Sequence, residues 1–245
     1  YQAGYQLVSN LWQLAIVFGT VSSAFISQSW QSGDILSVHR IVIRNAKAAL
    51  SIMAAGVAFL LFYVKEVTLL WLGEGSFVGY SILLVFCIML TLQTQRGTLV
   101  ISSRATEDEN YAYINLVSGF LNVLFTAILI GPLGLLGVSL GTLFAQLLTN
   151  SWYGVYRPMK RLKIRFSFYV RQVLGTWAIV FFSCFVCLWI AKDVMQRMEV
   201  SDVTSLVVSA LICALILLMT TWQRTLEDSE RYAVKKKALS IAGWA

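Results

Sequence analysis

The chain has 245 residues, of which 58% are hydrophobic and only 13% charged, and its mean hydropathy is +0.73. Soluble domains carry about 25% charged residues, so composition excludes an ordinary water-soluble fold and makes lipid the solvent for much of this surface. Nineteen Lys and Arg against twelve Asp and Glu leave a net charge of +7, but no basic-aromatic motif of a nucleic-acid binder accompanies it, and the excess reads as membrane topology.

A helix needs about 20 mostly apolar residues to cross a hydrocarbon core of about 30 Å. No charge precedes Asp34, which predicts a first span over about 5–26, the most polar of the set. The second, 48–72, is charge-free to Val64 and carries Lys65 and Glu66 near its end. The third covers 77–95. Between Asn110 and Tyr156 no charge occurs. That length is too great for one helix and predicts a fourth and a fifth, broken at Gly131-Pro132. The sixth covers 173–191 and the seventh 203–223, before a polar tail with Lys235, Lys236 and Lys237. The expected fold is an all-α polytopic membrane helix bundle of about seven transmembrane helices. It divides into five helices in 1–156, a basic loop in 157–172, two helices in 173–223 and a tail in 224–245.

Seven spans place alternate loops on opposite sides. Of the 19 basic residues, 16 then fall on one side, and the other keeps only Lys65, Lys192 and Arg197. One span more or fewer scrambles this split. The positive-inside rule makes the basic side cytoplasmic, with the C-terminus inside, in a cell inner (cytoplasmic) membrane. Thr106-Glu107-Asp108-Glu109 has the form of a capping box opening the fourth span, and equally of a solvated charge cluster. Trp71, Tyr80, Trp152, Tyr153 and Tyr156 fall near span ends, where interfacial aromatics anchor depth.

Chemistry has little to work with. Cys87, Cys184, Cys187 and Cys213 all lie in apolar runs, as small hydrophobes do. Cys184-x-x-Cys187 lacks the second ligand pair a zinc site needs, so no metal and no cofactor are expected. His39 is the only histidine, which leaves no His-based triad, and the exterior turns at Glu74-Gly75-Ser76 and Gly131-Pro132 leave no room for a catalytic domain. A protein that is not an enzyme is expected. The chain starts at Tyr1 with no basic region before its first apolar run, so it reads as lacking a signal peptide and as a piece of a longer protein.

Polar residues instead recur at helical spacing inside the spans. Gln6, Asn10 and Gln13 lie within about 60° on the first helix. Tyr111, Asn115, Ser118 and Asn122 form a stripe on the fourth. On the fifth, Ser139, Thr142, Gln146 and Thr149 share one face, and Gly134, Gly137 and Gly141 lie roughly opposite, one face suited to water and the other to close packing. The third ends with Thr91, Gln93, Gln95 and Arg96. Such groups serve as interhelical glue or line a hydrophilic cavity, and three stripes on separate helices point to a shared cavity suited to a hydroxyl-rich ligand. Arg96 and Arg104 are the nearest fixed cations. They fit an anionic headgroup, and they also fit plain topology markers. No Asp or Glu lies in the middle of a span, where cation-coupled pumps usually keep one.

Several segments, in order, carry a resemblance: Ala3-Gly4-Tyr5 opening a polar span, Ser32-Gly33-Asp34 in a loop, Leu70-Trp71-Leu72-Gly73 closing the second span, and Gly131-Pro132-Leu133-Gly134-Leu135-Leu136-Gly137 before a Gly/Ser/Thr-rich span. The chain resembles the C-terminal half of polysaccharide repeat-unit flippases of the O-antigen translocase type, within the multidrug/oligosaccharidyl-lipid/polysaccharide exporter superfamily. The resemblance implies the second lobe of a fourteen-span transporter whose N-terminal lobe is missing from this sequence. It also implies a lipid-linked oligosaccharide of the undecaprenyl-pyrophosphate type as cargo, with membrane lipid as surroundings. The motifs are degenerate apolar patterns and transfer no site residue. The path candidates, Gln6, Asn10, Gln13, Gln93, Arg96, Arg104, Asn115, Ser118, Asn122, Thr142 and Gln146, rest on the stripes and arginines alone. The competing readings are a multidrug or metabolite exporter of the same superfamily and a membrane polysaccharide polymerase or ligase.

Overall fold

Residues 2–73, 77, 79–226 and 231–232 are described by the computed structural model. Within them the chain is helical throughout and contains no strand. The turns at Glu74, Gly75 and Ser76 and the tail lysines 235–237 lie outside the described residues.

Helix α1 (Gln2–Gln31) meets α2 (Ile35–Leu72) through a tight turn. Gly33 there adopts φ +76°, and the Asp34 carboxylate caps α2 by accepting from the Ser37 N–H at 3.0 Å. Thus α2 begins far ahead of the expected residue 48. His39, Arg40, Arg44 and Lys47 ride on its first turns and not in a loop. At 1.5 Å per residue its 38 residues extend about 57 Å, so the basic turns project beyond the hydrocarbon. Charge ends an apolar window without ending a helix. The same holds for α3 (Tyr80–Arg104), which carries Arg96 and Arg104 inside the helix.

Helix α4 (Ala112–Leu133) begins five residues after Glu107, with Tyr111 at its N-cap and no side-chain cap bond, so the capping box does not form. Glu107 adopts φ +64° and Asp108 is drawn into an ion pair with Arg157 instead. The break after α4 falls at Gly134 (φ +56°), not at Gly131-Pro132. Pro132 sits in the last turn of α4, where its missing N–H costs one helix bond, and the glycine's left-handed backbone makes the turn.

Helix α5 (Leu135–Gln146) runs through a π-turn (Leu147–Ser151) into α6 (Trp152–Arg161), one rod from 135 to 161. A short α7 (Phe166–Tyr169) likewise passes through a π-turn (Val170–Leu174) into α8 (Gly175–Arg197). The last helix, α9 (Asp202–Thr220), ends in a third π-turn (Thr221–Thr225). The basic loop expected over 157–172 therefore shrinks to 162–165. Among the described residues six helical stretches are long and apolar enough to cross a membrane, and the 135–161 rod, interrupted by its π-turn, stands where the fifth span is expected. The molecule is an all-α, multi-pass membrane protein.

Helix α2 is the axis of the bundle and packs against α1, α3, α8 and α9. Val42, Ala46, Ala49, Met53 and Ala58 are buried along it, and the small side chains let neighbours approach closely. Helix α4 packs chiefly on α5 and presents Leu116, Phe120 and Val123 outward, as lipid-facing residues do. The turns 32–34, 105–111 and 162–165 gather at one end of the bundle, which carries most of the basic residues. There His39 bonds the Leu162 carbonyl, and Arg161 bonds Thr106. At the opposite end Lys192 donates to Glu66 Oε1 at 3.0 Å and to the Phe62 carbonyl at 2.6 Å. Beside it, Tyr63 Oη accepts from Ser209 Oγ at 2.7 Å and lies 3.0 Å from Ser205 Oγ, tying α9 to α2.

Candidate substrate cavity

A cavity of about 300 Å³ opens between α1, α3, α4 and the 135–161 rod. Helical spacing explains its walls: Trp12, Ile16 and Thr20 line it from α1, and Arg96, Val100 and Arg104 from α3, each set four residues apart. Tyr111 and Asn115 close the α4 side, and Asn150 and Gly154 the rod side. Two glycines shape the space. A Cβ on Gly97 would come within 2.6 Å of Ile16 Cδ1, and one on Gly154 within 2.2 Å of Arg96 Cγ. The bare backbone of Gly154 is thus the seat of the Arg96 stem.

The electrostatics separate three arginines at the basic end. Arg157 reaches Asp108 through Nε, at 3.1 and 2.9 Å to the two carboxylate oxygens, and through Nη2 at 2.6 Å. Ser103 Oγ donates a further bond to Asp108 at 3.1 Å, and Tyr153 Oη accepts from Arg157 Nη1 at 2.9 Å. The Arg157 bonds, assisted by Ser103, hold the Asp108 carboxyl below the usual range against the opposing effect of burial. Arg157 is therefore committed to structure. Neither Arg96 nor Arg104 forms an ion pair among the described residues. Arg96 is half-buried, and the exposed Arg104 lies with its guanidinium carbon 5.9 Å from the centre of the Tyr111 ring. The Trp12 indole N–H is buried and has no hydrogen-bond partner among the described residues. Two cations and the Asn115 and Asn150 amides thus border one space, a set that can bind an anionic, oxygen-rich group.

Of the residues expected to line a path, Arg96, Arg104 and Asn115 come together here. Gln6 and Asn10 bond each other along α1 at 2.8 Å, on a side left open together with Gln13. Gln13 lies about 20° around α1 from Thr20, so this stripe leads toward the cavity wall. Gln93 and Gln146 are half-buried and are not part of the lining. Ser118, Asn122 and Thr142 serve helix packing: Thr142 Oγ1 donates to Asn122 Oδ1 at 3.0 Å, and Ser118 is the one buried residue of α4. Ser139 and Thr149 are buried as well and turn their hydroxyls to their own helix carbonyls. The expected wet face of the fifth span is therefore a packed one, because both its faces meet neighbouring helices.

Trp12, Thr20, Asn150 and Gly154 were not legible as site residues, and Tyr111 was legible only as a member of the α4 stripe. The four-residue spacings are present in the sequence, but which helix faces meet is not, and nothing in the sequence signals the π-turn that carries Asn150. No protein-family model, curated protein or solved structure matches this chain.

Proposed function

We propose that the chain forms one lobe of a flippase that moves lipid-pyrophosphate-linked oligosaccharide across the cytoplasmic membrane for surface polysaccharide synthesis. The basic end faces the cytoplasm in this reading, as the positive-inside rule requires. The observation that carries it is the juxtaposition of Arg96 and Arg104 with Asn115 and Asn150 around one cavity. Arg96 and Arg104 hold the pyrophosphate, and Asn115, Asn150 and Thr20 exchange hydrogen bonds with sugar hydroxyls. The open amide stripe of α1 continues the polar route, and the lipid tail stays in the bilayer. A second lobe faces this one across the α1 stripe and completes an alternating-access path.

The test is complementation in a strain lacking the full-length parent protein. Arg96→Glu and Arg104→Glu, expressed at parental level, are expected to abolish surface polysaccharide and to leave lipid-linked repeat units on the cytoplasmic side. Normal surface polysaccharide with both charges reversed would sink the reading.

A further inference from the structure

Two more cavities lie at the basic end, and neither shares a residue with the one between α1, α3 and α4. The first is an apolar groove of about 520 Å³ between α1, α2 and α9, walled by Val17, Val21 and Phe25 on one side and Ala48, Ile52 and Leu218 on the other. The second is a basin of about 340 Å³ bordered by His39, Arg40, Arg44, Lys47 and Arg224. Arg44, Thr225 and Leu226 line both, so the groove opens into the basin beside Arg44.

Positive-inside topology accounts for basic residues near helix ends. It does not account for their convergence from two distant helices around the mouth of a groove. Lys47 Nζ donates to Gln172 Oε1 at 2.8 Å and to the Arg224 carbonyl at 3.1 Å. These partners are neutral oxygens, and the second draws the end of α9 against α2 across 177 residues of sequence.

We propose that groove and basin form one site for an anionic glycerophospholipid of the bilayer, with its phosphate beside Lys47 and Arg224 and one acyl chain in the groove. An acyl chain gains nothing hydrophobic by leaving other lipid tails for an apolar groove, so the groove selects shape. Affinity comes from the cations, as in basic pockets between transmembrane helices generally. Binding there clamps α9 to α1 and α2.

The full chain, purified in neutral detergent, is melted with added phosphatidylglycerol, phosphatidylcholine or inorganic diphosphate. Phosphatidylglycerol is expected to raise the midpoint in a saturable way and phosphatidylcholine to leave it unmoved. Lys47→Gln combined with Arg224→Gln weakens the apparent phosphatidylglycerol affinity by about 25-fold, roughly fivefold per cation removed. Val21→Trp fills the groove and lowers phosphatidylglycerol affinity several-fold, while Arg197→Gln, at the opposite end, leaves it unchanged. Should the double variant fail to fold, native mass spectrometry of Val21→Trp decides by the loss of bound phosphatidylglycerol. Equal stabilisation by phosphatidylcholine, unchanged affinity in the double or groove-filled variant, or diphosphate matching phosphatidylglycerol each overturns the proposal, the last by making the basin an ion site without a lipid.

Discussion

Arg96, Arg104 and Arg157 all lie near the basic end, and one carboxylate sorts them. Asp108 takes Arg157 with paired hydrogen bonds and leaves the other two facing the cavity. Removing the guanidinium in Arg157→Ala strands a nearly buried carboxylate, at a cost of about 2–3 kcal/mol in detergent unfolding. The pH dependence follows from the depressed Asp108 carboxyl. Its contribution is complete above the unfolded carboxyl value of about 3.9 and fades as pH falls through the lower folded value. Melting curves of the parent and Asp108→Asn proteins are accordingly expected to differ at neutral pH and to converge in acid. A finer test of the cavity is Gly154→Ala. The added methyl collides with Arg96 Cγ, so transport in the complementation assay should fall several-fold while the folded helix content seen by circular dichroism stays unchanged. Arg96 itself was legible as a candidate because a fixed cation beside an apolar span is conspicuous. Its seat was not, since Gly154 lies on another helix, 58 positions along.

Helices were legible as apolar windows but not as lengths. The window stops at Lys47 and again at Arg96, whereas backbone hydrogen bonding continues through both, because Lys and Arg are good helix formers and reach water from the helix ends. The Gly-rich side of α5 is a close-packing face, as its spacing predicts. At Gly137 a Cβ would lie 2.1 Å from the Leu129 carbonyl oxygen, and at Gly141 2.7 Å from the Thr126 nitrogen, both in the backbone of α4. Gly137→Ala is therefore expected to destabilise by about 1–3 kcal/mol through overpacking. Gly119→Ala, with nothing within 4 Å of the new methyl, should be neutral or slightly stabilising, and comparing the two by detergent unfolding separates contact from helix propensity. The polar partner of this packing, Asn122 with Thr142, took the role of glue instead of path. Amides and hydroxyls at helical spacing serve either role, and only the neighbouring helix decides between them.

Across the whole molecule, an odd number of crossings puts the α1–α2 turn and the α8–α9 turn on opposite faces of the membrane. A membrane-impermeant maleimide applied to intact cells should label Met198→Cys, in the α8–α9 turn, and not Ser32→Cys, and the pattern should reverse in inside-out vesicles. Labelling of both from the same side would break the seven-span arrangement. The long α2 holds this arrangement together, with Lys192 and Glu66 at one end and Lys47 and Gln172 at the other. Sequence alone determined the solvent, the helical class, the approximate number of crossings and the segregation of charge, because a bilayer imposes length and polarity on each span independently of its neighbours. Which stripes became cavity wall and which became glue, where Gly134 and the π-turns bend the rods, and how cations from α2 and α9 meet at one groove were decided by tertiary packing. Those outcomes depend on the faces that separate helices turn toward each other, and no periodicity within a single helix contains that information.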